Sequence, residues 1–203
     1  MLKEKIKIAV FVSGGGTNLQ ALIDKQNAGE IVDGEIALVL SNNPNAYALE
    51  RARKAGIKAV CVDKAIYKTL QEREEQMKKV LAQYGIDLIV LAGYLAILSE
   101  DFTKTYSNRI INIHPSLIPS FCGKGYYGLT VHEKALEYGV KVTGATVHFV
   151  NEIPDGGKII MQKAVEIQDG DSAEVLQKRV MEQAEWIILP QSVQKVCNQM
   201  RNE

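Results

Sequence analysis

Short apolar runs rich in β-branched residues alternate with helical stretches through the first half of the chain, and few folds tolerate that alternation. Ile6–Val12 is the first run, followed by S-G-G-G-T-N and the helical L-Q-A-L-I. Glu35–Leu40 is a second strand, closed by S-N-N-P-N; Ala46–Ala55 reads as a helix stopped by Gly56; Lys58–Val62 is a third strand. Leu70–Tyr84 is a long polar helix with an apolar stripe at Leu70, Met77, Val80 and Leu81. Asp87–Leu91 and Arg109–Ile113 complete five strands. Strands separated by helices predict an α/β, Rossmann-like, mainly parallel sheet with helices on both faces.

The pattern changes after residue 139. Lys141–Val150 alternates in part, with Val142, Ala145, Val147 and Phe149 as one candidate inward set. Lys158–Ile167 is strand-like too, and N-E-I-P-D-G-G joins the two, which predicts a mixed, antiparallel addition in the carboxyl-terminal half. Asp171–Ser172 reads as the cap of a last helix from about Ala173 past Trp186, which Pro190 is expected to kink or interrupt. With neither repeat nor low-complexity linker, residues 1–203 are expected to form a single domain. It divides into an amino-terminal half (about 1–110), which carries the glycine-rich loop, and a carboxyl-terminal half (about 111–203).

Composition narrows the function classes. Lys plus Arg and Asp plus Glu number 24 each, so no polyanion-coating surface is expected, and the balance argues against a dedicated nucleic-acid binder. Cys61, Cys122 and Cys197 are odd in number and far apart, unlike a disulfide framework or a zinc site. The run Ile8–Val12 is too short for a membrane span and no cleavage signature follows it, so a cytoplasmic protein without membrane association is expected.

Three segments carry chemistry. In N-I-H-P-S-L-I-P, Asn112 and His114 sit two apart after an apolar strand, so their side chains point to one side. An amide donor beside a titratable imidazole suits the stabilisation of an oxyanion. The loop Gly14–Asn18 joins a strand to a helix, where backbone N–H groups and the helix dipole can hold a phosphate; the alternative is a tight turn with Thr17 or Asn18 as helix cap. The full dinucleotide fingerprint is absent, since Thr17 and Leu19 stand where glycine is needed and S-N-N replaces the ribose-binding acid. Asp155 lies in the third segment, where an isolated D-G-G is most simply a turn. His132 and His148, taken singly, read as packed or surface histidines.

S-G-G-G-T-N-L-Q-A-L, L-A-G-Y-L-A-I-L, N-I-H-P-S-L-I-P and V-H-F-V-N-E-I-P-D-G-G, in this order and spacing, resemble the folate-dependent formyltransferases. Within that family they look like the phosphoribosylglycinamide formyltransferase branch, and the resemblance covers nearly the whole chain. It implies direct attack of the glycinamide ribonucleotide amine on 10-formyltetrahydrofolate through a tetrahedral oxyanion, with no metal. Asn112, His114 and Asp155 are the implied catalytic residues, Asp155 raising the pKa of His114 and favouring its charged form. The implied ribonucleotide contacts are Gly15, Gly16, Thr17, Asn18 and Glu185. For the folate they are Leu95, Ile97 and Leu98, with Asn112 and Asp155.

Three departures from that pattern are plain. Ala96 stands where many relatives carry Arg, and the loop after His114 is longer, with Lys124 within it. Spacing from Arg179 to Glu185 is also one residue longer than in some relatives. The alternative functions are a 10-formyltetrahydrofolate hydrolase, a methionyl-tRNA formyltransferase, and a non-catalytic phosphate-ligand binder of the same fold. The first two resemble this chain with added regulatory or tRNA-binding domains, so a small-molecule transferase, monomeric or weakly dimeric, is the expectation.

Overall fold

A computed structural model describes residues 4–203; the first three residues of the segment read as lacking a targeting signal lie outside it. Among the described residues one seven-stranded sheet runs in the order β3-β2-β1-β4-β5-β6-β7. Strands β1 (Ile6–Val12), β2 (Gly34–Ser41), β3 (Lys58–Cys61), β4 (Leu88–Leu91) and β5 (Ile110–His114) pair in parallel. β6 (Val142–Phe149) and β7 (Ile159–Glu166) add antiparallel. The expected mixed α/β sheet is therefore present.

Two apolar clusters cover the sheet's two faces. One joins Ile8, Val10 and Val90 to Leu19, Leu22 and the carboxyl-terminal helix at Leu189 and Val193. The other joins Ala9, Phe11 and Leu38 to Met77, Leu81 and Phe102. Neighbours in β1 alternate between the clusters, as the period of two requires. Each fully buried Leu or Phe contributes about 2 kcal/mol of transfer free energy, so the parallel half is held firmly.

The first three helices follow their sequence signals. α1 (Thr17–Asn27) and α2 (Tyr47–Lys54) flank the glycine loop, and α3 (Leu70–Gln83) starts from a capping box of Thr69 and Glu72. α4 (Glu100–Thr105) and α5 (Leu129–Tyr138) were not legible beforehand. α4 is a turn and a half, and α5 buries only Val131, His132 and Ala135, too weak a stripe to stand out.

Two expectations need correction. Val142 does not belong to the inward set of β6: it is 48% exposed, whereas Thr143 through His148 are buried without alternation. β6 lies between β5 and β7 and is covered on both sides, which removes the period-two signal. Nor does Pro190 end the last helix. Ser172 caps α6 (Ala173–Val180), and the chain continues through a π turn (Met181–Glu185) into α7 (Trp186–Asn202), with Pro190 inside α7. Trp186, four residues before Pro190, closes the wider turn by donating its N–H to the Met181 carbonyl.

The sheet's strand order reverses between β1 and β4. The loops at their carboxyl ends are stitched together: Ser13 N–H donates to the Gly93 carbonyl, and Leu95 N–H to the Ser13 hydroxyl. A crevice opens where these loops part, the usual ligand position in an open α/β sheet.

Candidate active site

β5 presents Asn112 and His114 on one face, as their spacing requires. The antiparallel β6 sets His148 directly opposite Asn112, and Thr146 opposite His114. The segment after β6 then folds back over this face. Gly157 permits that return, because a Cβ there would lie 1.7 Å from the Phe149 carbonyl oxygen. Asp155 adopts a left-handed φ of 56°, a conformation that Asp tolerates better than most residues and that concentrates at functional sites. Its carboxylate thereby comes to 3.5 Å from His114 Nδ1 and 3.5 Å from His148 Nε2.

The hydrogen bonds fix the histidine tautomers. His148 Nδ1 is 2.8 Å from the Phe149 carbonyl, which can only accept, so Nδ1 carries the proton. His148 Nε2 lies 3.1 Å from Asn112 Nδ2, which orients the amide and leaves its second N–H for another acceptor. By the same reasoning His114 Nε2, 2.9 Å from the Phe121 carbonyl, is a donor. Gly123 N–H donates to Asp155 Oδ2 at 2.8 Å, so the long loop after His114 touches both members of the pair.

Burial lowers the pKa of His114, and this outweighs the opposing pull of Asp155 and of the Phe121 carbonyl. The expected net rise does not occur, because the ring is only 4% exposed and desolvation penalises its charged form. Burial alone would raise Asp155, but contacts from His148, His114 and Gly123 N–H outweigh it and hold Asp155 below its ordinary value. The pair thus sets a carboxylate 3.5 Å from an imidazole whose charged form burial disfavours.

These groups open into a cavity of about 560 Å³, within the usual range for small-molecule sites. Asn112, His114, His148 and Asp155 all line it. Leu95, Ile97 and Leu98 form an apolar wall. Leu95 and Ile97 are exposed, and Leu98 is partly buried against the second cluster, so the first two are not core residues. Lys124 also reaches the lining.

At another part of the wall stand Asn18 and Glu185. Glu185 is buried, accepts from Asn18 Nδ2 at 2.6 Å, and is pushed by burial up to about 6. Gly15, Gly16 and Thr17 are not part of the lining. Gly15 and Thr17 are exposed, and Gly16 takes a left-handed φ of 73° at the start of α1. Gly14 and Gly15 face open space, whereas a Cβ on Gly16 would meet the Ala48 Cβ at 2.6 Å.

Sequence reasoning passed over His148. Its signal was available only through pairing, since a histidine opposite Asn112 requires the β5–β6 register. His132 is buried in α5, lines the cavity, and has neither ring nitrogen bonded. Burial pulls it down to about 4. The described residues contain no cluster of His, Cys, Asp or Glu able to hold a metal, and no helix long and apolar enough to cross a membrane.

A family model described as formyl transferase matches residues 6–193. The chain is 43% identical over 184 residues to phosphoribosylglycinamide formyltransferase of Haemophilus influenzae, covering 91% of this chain and 84% of that one. It is 41% identical over 196 residues to the human trifunctional purine biosynthetic protein adenosine-3, covering 97% of this chain but 19% of that protein. The chain thus spans about a fifth of the length of that trifunctional relative. A solved structure of glycinamide ribonucleotide transformylase 1 from Symbiobacterium toebii superposes with a TM-score of 0.89 at 42% identity, covering 96% of this chain and 89% of that one.

Proposed function

The chain belongs to the formyl transferase family, and on that premise we propose that it transfers the formyl group of 10-formyltetrahydrofolate to the amine of glycinamide ribonucleotide. The observation that carries this reading is the convergence of Asn112, His114, His148 and Asp155 in one cavity. Binding alone would not call for a buried carboxylate set between two imidazoles.

The amine attacks the formyl carbon, and the formyl oxygen gains charge as the tetrahedral intermediate forms. Asn112, oriented by His148, offers its second N–H to that oxygen. His114 starts neutral and takes up the proton that the attacking nitrogen sheds, with Asp155 supporting the imidazolium that results. Positive charge therefore arrives beside the oxyanion as the oxyanion appears. The proton then passes to the leaving folate nitrogen, and the bond from that nitrogen to the formyl carbon breaks.

The apolar wall of Leu95, Ile97 and Leu98 would hold the pterin, with Asn112 and Asp155 at its reacting edge. The glycine loop would hold the ribonucleotide phosphate on the N–H groups of Gly15, Gly16, Thr17 and Asn18. Glu185 would bind the glycinamide end. Lys124, which lines the cavity, would stand in for the arginine replaced by Ala96 by meeting a folate carboxylate.

The test is release of tetrahydrofolate with and without glycinamide ribonucleotide. Release should be slow with folate alone and rise sharply with the ribonucleotide. Equal rates, with free formate as product, would favour the hydrolase.

A further inference from the structure

The glycine loop is held from behind, carbonyl by carbonyl. Asn43 Nδ2 donates to the Ser13 carbonyl at 3.2 Å, Ala48 N–H to the Gly14 carbonyl at 3.1 Å, and Arg51 Nε to the Gly15 carbonyl at 2.8 Å. In a trans peptide the C=O and the next N–H point in opposite directions. Three consecutive carbonyls drawn toward α2 and the end of β2 therefore turn the N–H groups of Gly14, Gly15 and Gly16 the other way. None of those three N–H groups donates to another described residue. Successive amides aimed together form an anion-binding nest, and the amino-terminal dipole of α1 adds to it.

A second observation points to a ligand beside the loop, one that brings an N–H or O–H donor into the cavity. Asn18, in the first turn of α1, is 9% exposed and lines the cavity, yet its Oδ1 has no hydrogen-bond partner. Its Nδ2 is already committed to Glu185.

Arg51 is the strongest of the three anchors and is itself immobilised. Its Nη1 donates to Gln20 Oε1 at 2.9 Å, and its guanidinium lies 5.0 Å from the Tyr47 ring centroid. A guanidinium gripped by a carbonyl, an amide and a ring face has one orientation, which a lysine ammonium cannot reproduce.

We propose that Arg51 is a positioning residue for substrate phosphate: it holds back the Gly15 carbonyl so that the Gly16 N–H faces the phosphate. This rests on the reading of the glycine loop given above. Arg51 acts through the peptide plane, and its fork geometry matters more than its charge.

Titration of the isotopically labelled protein with inorganic phosphate tests this, with the Gly15 and Gly16 amide resonances as readout. In the unsubstituted protein both should shift. Arg51→Met and Arg51→Lys should each weaken phosphate affinity about tenfold, the size expected for one charge-assisted hydrogen bond, with folate affinity unchanged. Full recovery of affinity in Arg51→Lys would overturn the proposal in favour of simple charge. Unchanged affinity in Arg51→Met, even with a lowered melting temperature, would reduce Arg51 to a fold contact and overturn it too. If the unsubstituted protein shows no shift with phosphate or ribonucleotide, the phosphate reading of the loop fails, and this proposal with it.

Discussion

Asn112 and His148 face one another across the antiparallel β5–β6 pair, the amide nitrogen 3.1 Å from His148 Nε2. The histidine holds the amide in one orientation before any substrate arrives, and a fixed donor needs no reorganisation when charge develops. Asn112→Ala should lower turnover about 100-fold, the usual cost of one oxyanion donor. His148→Ala should cost about tenfold, because the amide remains but can rotate. Steady-state kinetics on both variants checks this, and a larger loss from His148 than from Asn112 would assign the histidine a direct part in the chemistry.

Gly15 and Gly16 should separate binding from folding. A side chain at Gly15 meets open space in the protein, whereas at Gly16 it meets Ala48 at a positive φ. Gly15→Val should weaken ribonucleotide binding about tenfold or more with little change in melting temperature. Gly16→Val should lower the melting temperature by several degrees, the effect of about 1–3 kcal/mol of overpacking. Calorimetry for binding and thermal unfolding for stability distinguish the two.

Two buried groups give stability opposite pH dependences. His132 titrates near 4 in the fold against an ordinary 6.5, so the unfolded chain binds the extra proton. Its stabilising effect is complete above about 6.5 and is lost as pH falls toward 4. Glu185 titrates near 6 against an ordinary 4.5, so there the folded protein binds the extra proton, and stability falls as pH rises from 4.5 through 6. Urea midpoints between pH 4 and 7 should therefore fall less steeply on acidification in His132→Gln than in the unsubstituted protein. In Glu185→Gln they should fall more steeply.

The loop that carries Phe121 and Gly123 bonds to His114 and Asp155, yet its own anchors end early. Thr146 holds its start through the Ser116 carbonyl and the Ile118 N–H, whereas Gly123, Gly125 and Gly128 all have positive φ. Amide exchange across 121–128 should be fast without ligand and slow when both substrates are bound. Equal exchange in the two states would contradict a closing role.

The parallel half was legible because each strand is a short β-branched run between clear punctuators: S-G-G-G after Val12, S-N-N-P after Leu40, Gly56 before Lys58. Asn112 and His114 were legible as a pair because a spacing of two fixes their common side. Asp155 was legible only through resemblance, since a turn-forming D-G-G looks alike with or without a catalytic role. His148 required the strand register, a long-range fact with no local trace. The lowered pKa of His114 required its burial, which no motif encodes. The π turn at Met181–Glu185 likewise has no local signature in the sequence.

The central claim is tested most directly by following the formyl group itself. The purified protein would be given 10-formyltetrahydrofolate carrying an isotopically labelled formyl carbon, together with glycinamide ribonucleotide, and the products weighed by mass spectrometry. The account predicts the label on the ribonucleotide as a new amide, with His114→Ala reducing its appearance about 100-fold or more. Label recovered as free formate, with the ribonucleotide unchanged, would contradict it.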